Sequence, residues 1–148
     1  MKENQFIINK MPVPTFRWLK MNEAKLEIPG ELTAYQPSVH GKLPERIEEE
    51  NGFSGSMSTA LDDYFREERL PVQSFVLREG EESPEYIRIH FRNGENAVEH
   101  SAYSFTIEEG ARLKLFLAIE SLEESKNMAF LQEKFHLKKN AKLDLVIA

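Results

Sequence analysis

The chain has 148 residues, which makes one domain the default, and 41% of them are hydrophobic, enough to build a real core. Lys and Arg number 19 against 25 Asp and Glu, a net charge of −6, and this acidic balance argues against a nucleic-acid partner, whose phosphates need a basic footprint. Cys is absent, which excludes disulfides, thiolate metal sites and cysteine nucleophiles.

In chain order, residues 1–10 are polar at both ends and read as loose chain or a short helix. Their apolar run is too short for a signal peptide, and no stretch of about 18 apolar residues occurs, so the expectation is a cytoplasmic protein with no membrane span. Met11-Pro12-Val13-Pro14 is extended, because each proline fixes φ and biases its predecessor away from helix. Thr15 can cap a short helix over Phe16–Met21, with Trp18 as an anchor on the core rather than a ligand platform. Lys25 to Pro37 alternates weakly through Leu26, Ile28, Leu32 and Tyr35, with a turn at Pro29-Gly30. Leu43 to Gly52 carries Glu45, Glu48, Glu49 and Glu50 and reads as an exposed helical turn or a loop, a solvated face.

Ser54 to Arg69 is the strongest predicted helix. Ser56 or Ser58 can accept from its first amides, and Met57, Ala60, Leu61, Tyr64 and Phe65 fall on one stripe. Asp62 and Asp63 come early and Arg66 and Arg69 late, which suits the helix dipole, and Leu70-Pro71 ends it. From Val72 onward the pattern predicts strands over Gln73–Arg78, Glu85–Arg92, Ala97–Ile107, Ala111–Ser121, Ala129–Leu137 and Lys142–Ala148, with a turn at Asn93-Gly94 and a surface loop at Glu123–Asn127.

Two of these stretches are near duplicates. Ile107 to Ala118 reads Ile-Glu-Glu-Gly-Ala-Arg-Leu-Lys-Leu-Phe-Leu-Ala, and Leu137 to Ala148 reads Leu-Lys-Lys-Asn-Ala-Lys-Leu-Asp-Leu-Val-Ile-Ala, thirty residues later. A weaker echo, Leu77-Arg78-Glu79-Gly80, lies thirty residues earlier. A fixed period of this size is the mark of stacked coils. Gly110 and Asn140 tolerate the positive φ of a turn. Leu113/Leu115 and Leu143/Leu145 then point to one face, and Arg112, Lys114, Lys142 and Asp144 to the other. The competing reading is a β-sandwich in which the two units are unrelated hairpin strands. The chain stops on Leu145-Val146-Ile147-Ala148, in mid-pattern, which suggests a truncated piece of a longer repeat protein whose last strand invites pairing with another chain.

No constellation for catalysis emerges. His40, His90, His100 and His136 are scattered, His90 shares its strand face with Arg88 and Arg92, and Glu99 and His100 point to opposite faces. Asn51-Gly52-Phe53-Ser54-Gly55 lacks the residues of a phosphate loop. We assign no catalytic, cofactor-binding or metal residue.

The run Asn9-Lys10-Met11-Pro12-Val13-Pro14-Thr15-Phe16-Arg17-Trp18-Leu19-Lys20-Met21-Asn22-Glu23 resembles the start of SufB/SufD-type iron–sulfur cluster assembly proteins. Gly55 to Phe65 looks like the helix that precedes their β part, and Ile107–Ala111 followed by Leu137–Leu143 is similar to the first coils of their right-handed parallel β-helix. The resemblance implies a mainly β fold: a small α-containing segment over 1–70, then the first coils of a β-helix-type solenoid over 71–148. It implies a non-catalytic scaffold subunit, partnered by a SufC-type ATPase and a SufB/SufD-type subunit, with the iron–sulfur cluster belonging to the complex and no cofactor in this chain. The family's functional cysteines and C-terminal helices have no counterpart here, so no ligand residue carries over, and SufB-like and SufD-like remain equal. The alternative is a stand-alone module, a β-sandwich or short solenoid, that binds a small ligand or carbohydrate in a cleft lined by Tyr86, Tyr103 and the Arg88/His90/Arg92 face.

Overall fold

The structure, a computed structural model, describes residues 5–8, 24–48, 58–92, 98–120 and 127–148. Over these the protein is mainly β, with strands β1 (Gln5–Ile8), β2 (Ala24–Glu27), β3 (Leu32–Ala34), β4 (Ser38–His40), β5 (Glu45–Ile47), β6 (Gln73–Leu77), β7 (Ile87–Arg92), β8 (Val98–Ile107), β9 (Arg112–Glu120), β10 (Met128–Leu137) and β11 (Lys142–Ile147), and one helix, α1 (Thr59–Glu67). Strands β1 and β2 pair with each other, one larger sheet has the order β10-β8-β6-β5 with β3 also on β8, and the other has the order β11-β9-β7-β4.

The two copies of the sequence repeat lie on neighbouring strands that run in the same direction. Ile107 stands beside Leu137, and Leu113, Leu115 and Leu117 stand beside Leu143, Leu145 and Ile147. The weaker echo is in the same register, with Leu77 beside Ile107. Three equivalent turns join the sheets. Glu81, Ala111 and Ala141 each donate a backbone hydrogen bond to the residue three before, Arg78, Glu108 and Lys138. Gly80, Gly110 and Asn140, third in each turn, hold φ of 70°, 68° and 57°, the type II pattern that favours Gly or Asn. The turns also bond to one another: Gly80 N donates to Glu109 O and Gly110 N to Lys139 O.

The third echo is short because the first unit carries an insertion. Glu82 pairs with Arg112, in step with the period, but Ile87 pairs with Leu115, so two extra residues lie between. An even insertion keeps every side chain on its original face. Ile87, Ile89 and Phe91 therefore still point inward.

Inward-facing residues of both sheets make the main core: Phe75, Leu77, Ile87, Ile89, Phe91, Tyr103, Phe105, Ile107, Leu113, Leu115 and Leu117. Phe75, Phe105 and Phe135 stack face to face at 5.6 and 5.7 Å between centroids. At one end both sheets are closed by antiparallel strands, β5 on β6 and β4 on β7. The opposite edge is formed by β10 and β11. Helix α1 covers the outer face of β8 and β10 through Leu61 and Phe65, which pack with Phe6, Ile28, Val98 and Phe130.

Several N-terminal expectations change. Residues 5–8 are a strand, not loose chain or helix, because Phe6 pairs with Leu26 and is buried under α1. Glu45–Ile47 is a strand rather than a helical turn, held by the edge of β6. The 1–70 segment is not simply a helical prelude, since β3, β4 and β5 join the sheets built by residues 73–147. Helix α1 starts later than expected, with Ser58 as its cap accepting from Leu61 N at 3.4 Å. Ala60 is exposed, while Asp62 is buried. The readings for Phe16–Met21 with Trp18, Met57, Asn93-Gly94 and most of the loop at Glu123–Asn127 lie outside the described residues.

Candidate functional site

The residues named for a ligand cleft are not brought together. Arg88, His90 and Arg92 do share the outward face of β7, as the alternation required. Their neighbours there come from β9: the Arg88 guanidinium lies 5.3 Å from the centre of the Phe116 ring, and His90 Nε2 is 3.0 Å from the Glu120 carboxylate. Tyr86 is exposed, whereas Tyr103 is in the core, where burial and the neighbouring Glu133 push its phenol up to about 12. His40 and His136 are exposed on different sheets. Among the described residues no group of three His, Asp or Glu is placed to hold a metal ion.

Two buried polar groups escaped the sequence reading. On the outer face of β8, under α1, His100 Nε2 lies 2.8 Å from Gln132 Oε1, and Gln132 Nε2 donates toward Asp62 Oδ1 at 3.4 Å. The Gln132 oxygen can only accept, so His100 donates from Nε2 and its buried Nδ1 keeps a lone pair without a partner. Burial lowers the pKa of this imidazole, against the smaller opposing effect of Gln132. On the inward face, Glu133 stands beside Tyr103, with both carboxylate oxygens shut off from solvent and without hydrogen bonds. Desolvation raises its pKa to about 8. Neither group carries a motif; Glu133 looks like any strand residue until the register places it inside.

The charged side chains at the turns form a column. Glu45 on β5 accepts two hydrogen bonds from the Arg78 guanidinium at 3.0 Å, and this holds the Glu45 carboxyl below its usual range. Arg78 also approaches Glu108 at 3.7 Å, and Glu108 approaches Lys138 at 3.5 Å. Signs alternate from the antiparallel end to the last turn, and the thirty-residue period was the signal that could have revealed it. Beyond Lys138 lies the edge of β10 and β11, where Leu137, Leu145, Val146 and Ile147 are exposed. A second feature is a cavity of about 630 Å³ beside the two-residue insertion, lined by Lys42, Leu43, Glu45, Glu82, Ser83 and Ile87 among others.

The arrangement is thus suited to holding another chain segment by backbone pairing and charge rather than to moving protons at an open centre. Comparisons with protein-family models, with curated proteins and with solved structures each gave no match.

Proposed function

We propose that residues 1–148 supply the lead-in segment and first right-handed β-helix coils of a SufB/SufD-type iron–sulfur cluster assembly protein, working as a scaffold and not as an enzyme. The observation that carries this reading is the parallel, in-register placement of Leu137–Ala148 on Ile107–Ala118. Parallel ladders in both larger sheets, joined by equivalent turns, favour a coil over a sandwich, whose sheets are built from antiparallel strands. The ladder of Phe75, Phe105 and Phe135 is further support, since equal spacing along a stack is what a repeated coil produces. The partners in this reading are a SufC-type ATPase and a SufB/SufD-type subunit. The cluster is carried by the complex, because iron at such sites prefers thiolate ligands and this chain has none.

The test is co-expression of the full gene product with a SufC-type ATPase carrying an affinity tag. Co-elution of the two through size-exclusion chromatography is the expected result. A folded, soluble protein that never associates with the ATPase or with a SufB/SufD-type subunit would overturn the reading.

A second reading, a small-ligand module, draws on the cavity at Lys42–Glu45 and Glu82–Ser83. Its size lies within the usual range for ligand pockets. It predicts that a polar small molecule shifts the amide resonances of Lys42, Glu82 and Ser83 together.

A further inference from the structure

We propose that the edge formed by β10 and β11 docks a strand–turn–strand segment of a partner chain, and that this segment carries a carboxylate at its turn, placed over Lys138. Four observations converge on this occupant. First, both larger sheets end on the same side, so one segment can extend both at once. Second, their other ends are covered by antiparallel β4 and β5, which bars a head-to-tail stack of copies through those strands. Third, the column Glu45, Arg78, Glu108, Lys138 alternates in sign and finishes on a cation, so the next member by continuity is an acid. Fourth, the apolar columns Phe75–Phe105–Phe135 and Leu77–Ile107–Leu137 also finish at this edge, with Leu137 still 43% exposed. The partner segment therefore has an apolar or aromatic residue two before its turn, another at the turn's start, and one or two acids within the turn.

Backbone groups are free to receive it. Lys142 N and Ala148 N donate to β9, so by alternation the amides of Leu143, Leu145 and Ile147 face outward. Addition of a strand at such an edge is a common mode of recognition, with hydrogen bonds giving affinity and side-chain columns giving selectivity. This proposal stands on the edge and the charge column, and does not depend on the iron–sulfur reading.

Residues 103–117 of this chain have the required pattern, with Glu108 and Glu109 in the turn, and a synthetic peptide of that sequence is the probe. Its binding to the folded chain is measured by fluorescence anisotropy at low salt. Saturable binding is expected. Lys138→Glu should weaken it about fivefold, and a peptide with both turn glutamates changed to lysine should reverse that preference. Ile147→Pro should weaken binding of every peptide, because it removes an outward amide and spares those that bond to β9. Retained circular dichroism separates these effects from unfolding. Three results would each overturn the proposal: no binding to the folded wild type, equal affinity whatever the charges at the turn, or an edge already occupied by a second copy that the peptide does not displace.

Discussion

Glu133 and His100 give the molecule opposing responses to pH. The folded protein keeps a proton on Glu133 up to about 8, while the unfolded chain releases it near 4.5. Unfolding between those values releases a proton, so stability falls as pH rises through that window, by at most about 1.4 kcal/mol per pH unit. Urea denaturation at several pH values should show this fall, and Glu133→Gln should flatten it. His100 acts on the acid side. Its folded pKa lies below the usual 6.5, so the unfolded chain binds the proton first and stability drops as pH falls below that value. His100→Gln should remove that acid limb. Arg69 carries a different strain. It ends α1 with φ 53°, and Leu70 N and Arg69 N bond back to Phe65 O and Arg66 O, the Schellman arrangement whose turning residue is usually Gly. Arg69→Gly should raise the unfolding free energy by about 0.5–1 kcal/mol in the same assay.

The strand–turn–strand unit has two requirements, a left-handed residue in the turn and an apolar column inside. A Cβ on Gly110 would meet no atom within 4 Å, so the penalty for replacing it is conformational alone. Gly110→Ala should destabilise by about 1 kcal/mol, and Gly110→Asn by less, since Asn140 already fills the equivalent place. Inside, Phe105 is buried and stacks between Phe75 and Phe135. Phe105→Ala should cost about 3–5 kcal/mol, measured by thermal or urea unfolding. Leu115 has no exposed surface, so Leu115→Asp buries a charge without a partner and should abolish soluble expression. A well-folded Leu115→Asp protein would mean that the inward assignment of β9 is wrong.

Across the whole molecule, protection should follow position in the sheets. Strand β8 is paired on both edges, and β9 lies between β7 and β11. Amides of these two strands should exchange slowest with deuterium. Along β11 the pattern should alternate, with Leu143, Leu145 and Ile147 fast and Asp144 and Val146 slower, because only the second set faces β9. Uniform protection along β11 in the isolated chain would show that something already covers the edge. One closed end and one open end make the molecule directional, and this polarity is what a scaffold needs to present one surface to a partner.

The period was legible because it rests on local chemistry. Turn residues that accept positive φ and a two-residue alternation recur in Gly110/Leu113/Leu115 and Asn140/Leu143/Leu145, and each is visible within a dozen residues. The strands from β6 to β11 follow from the same alternation. The tertiary structure alone decided what depends on distant neighbours. It turned Glu45–Ile47 and Gln5–Ile8 into strands, because an open backbone edge outweighs the weak preference of a short polar segment. It also buried Asp62, His100 and Glu133, since no local pattern tells a strand residue which sheet or helix will cover it. The first unit lost its echo after Gly80 because a two-residue insertion shifts the period yet leaves the inward face unchanged. Local steric preference is written along the chain; burial is a property of the pairing, and only the folded register assigns it.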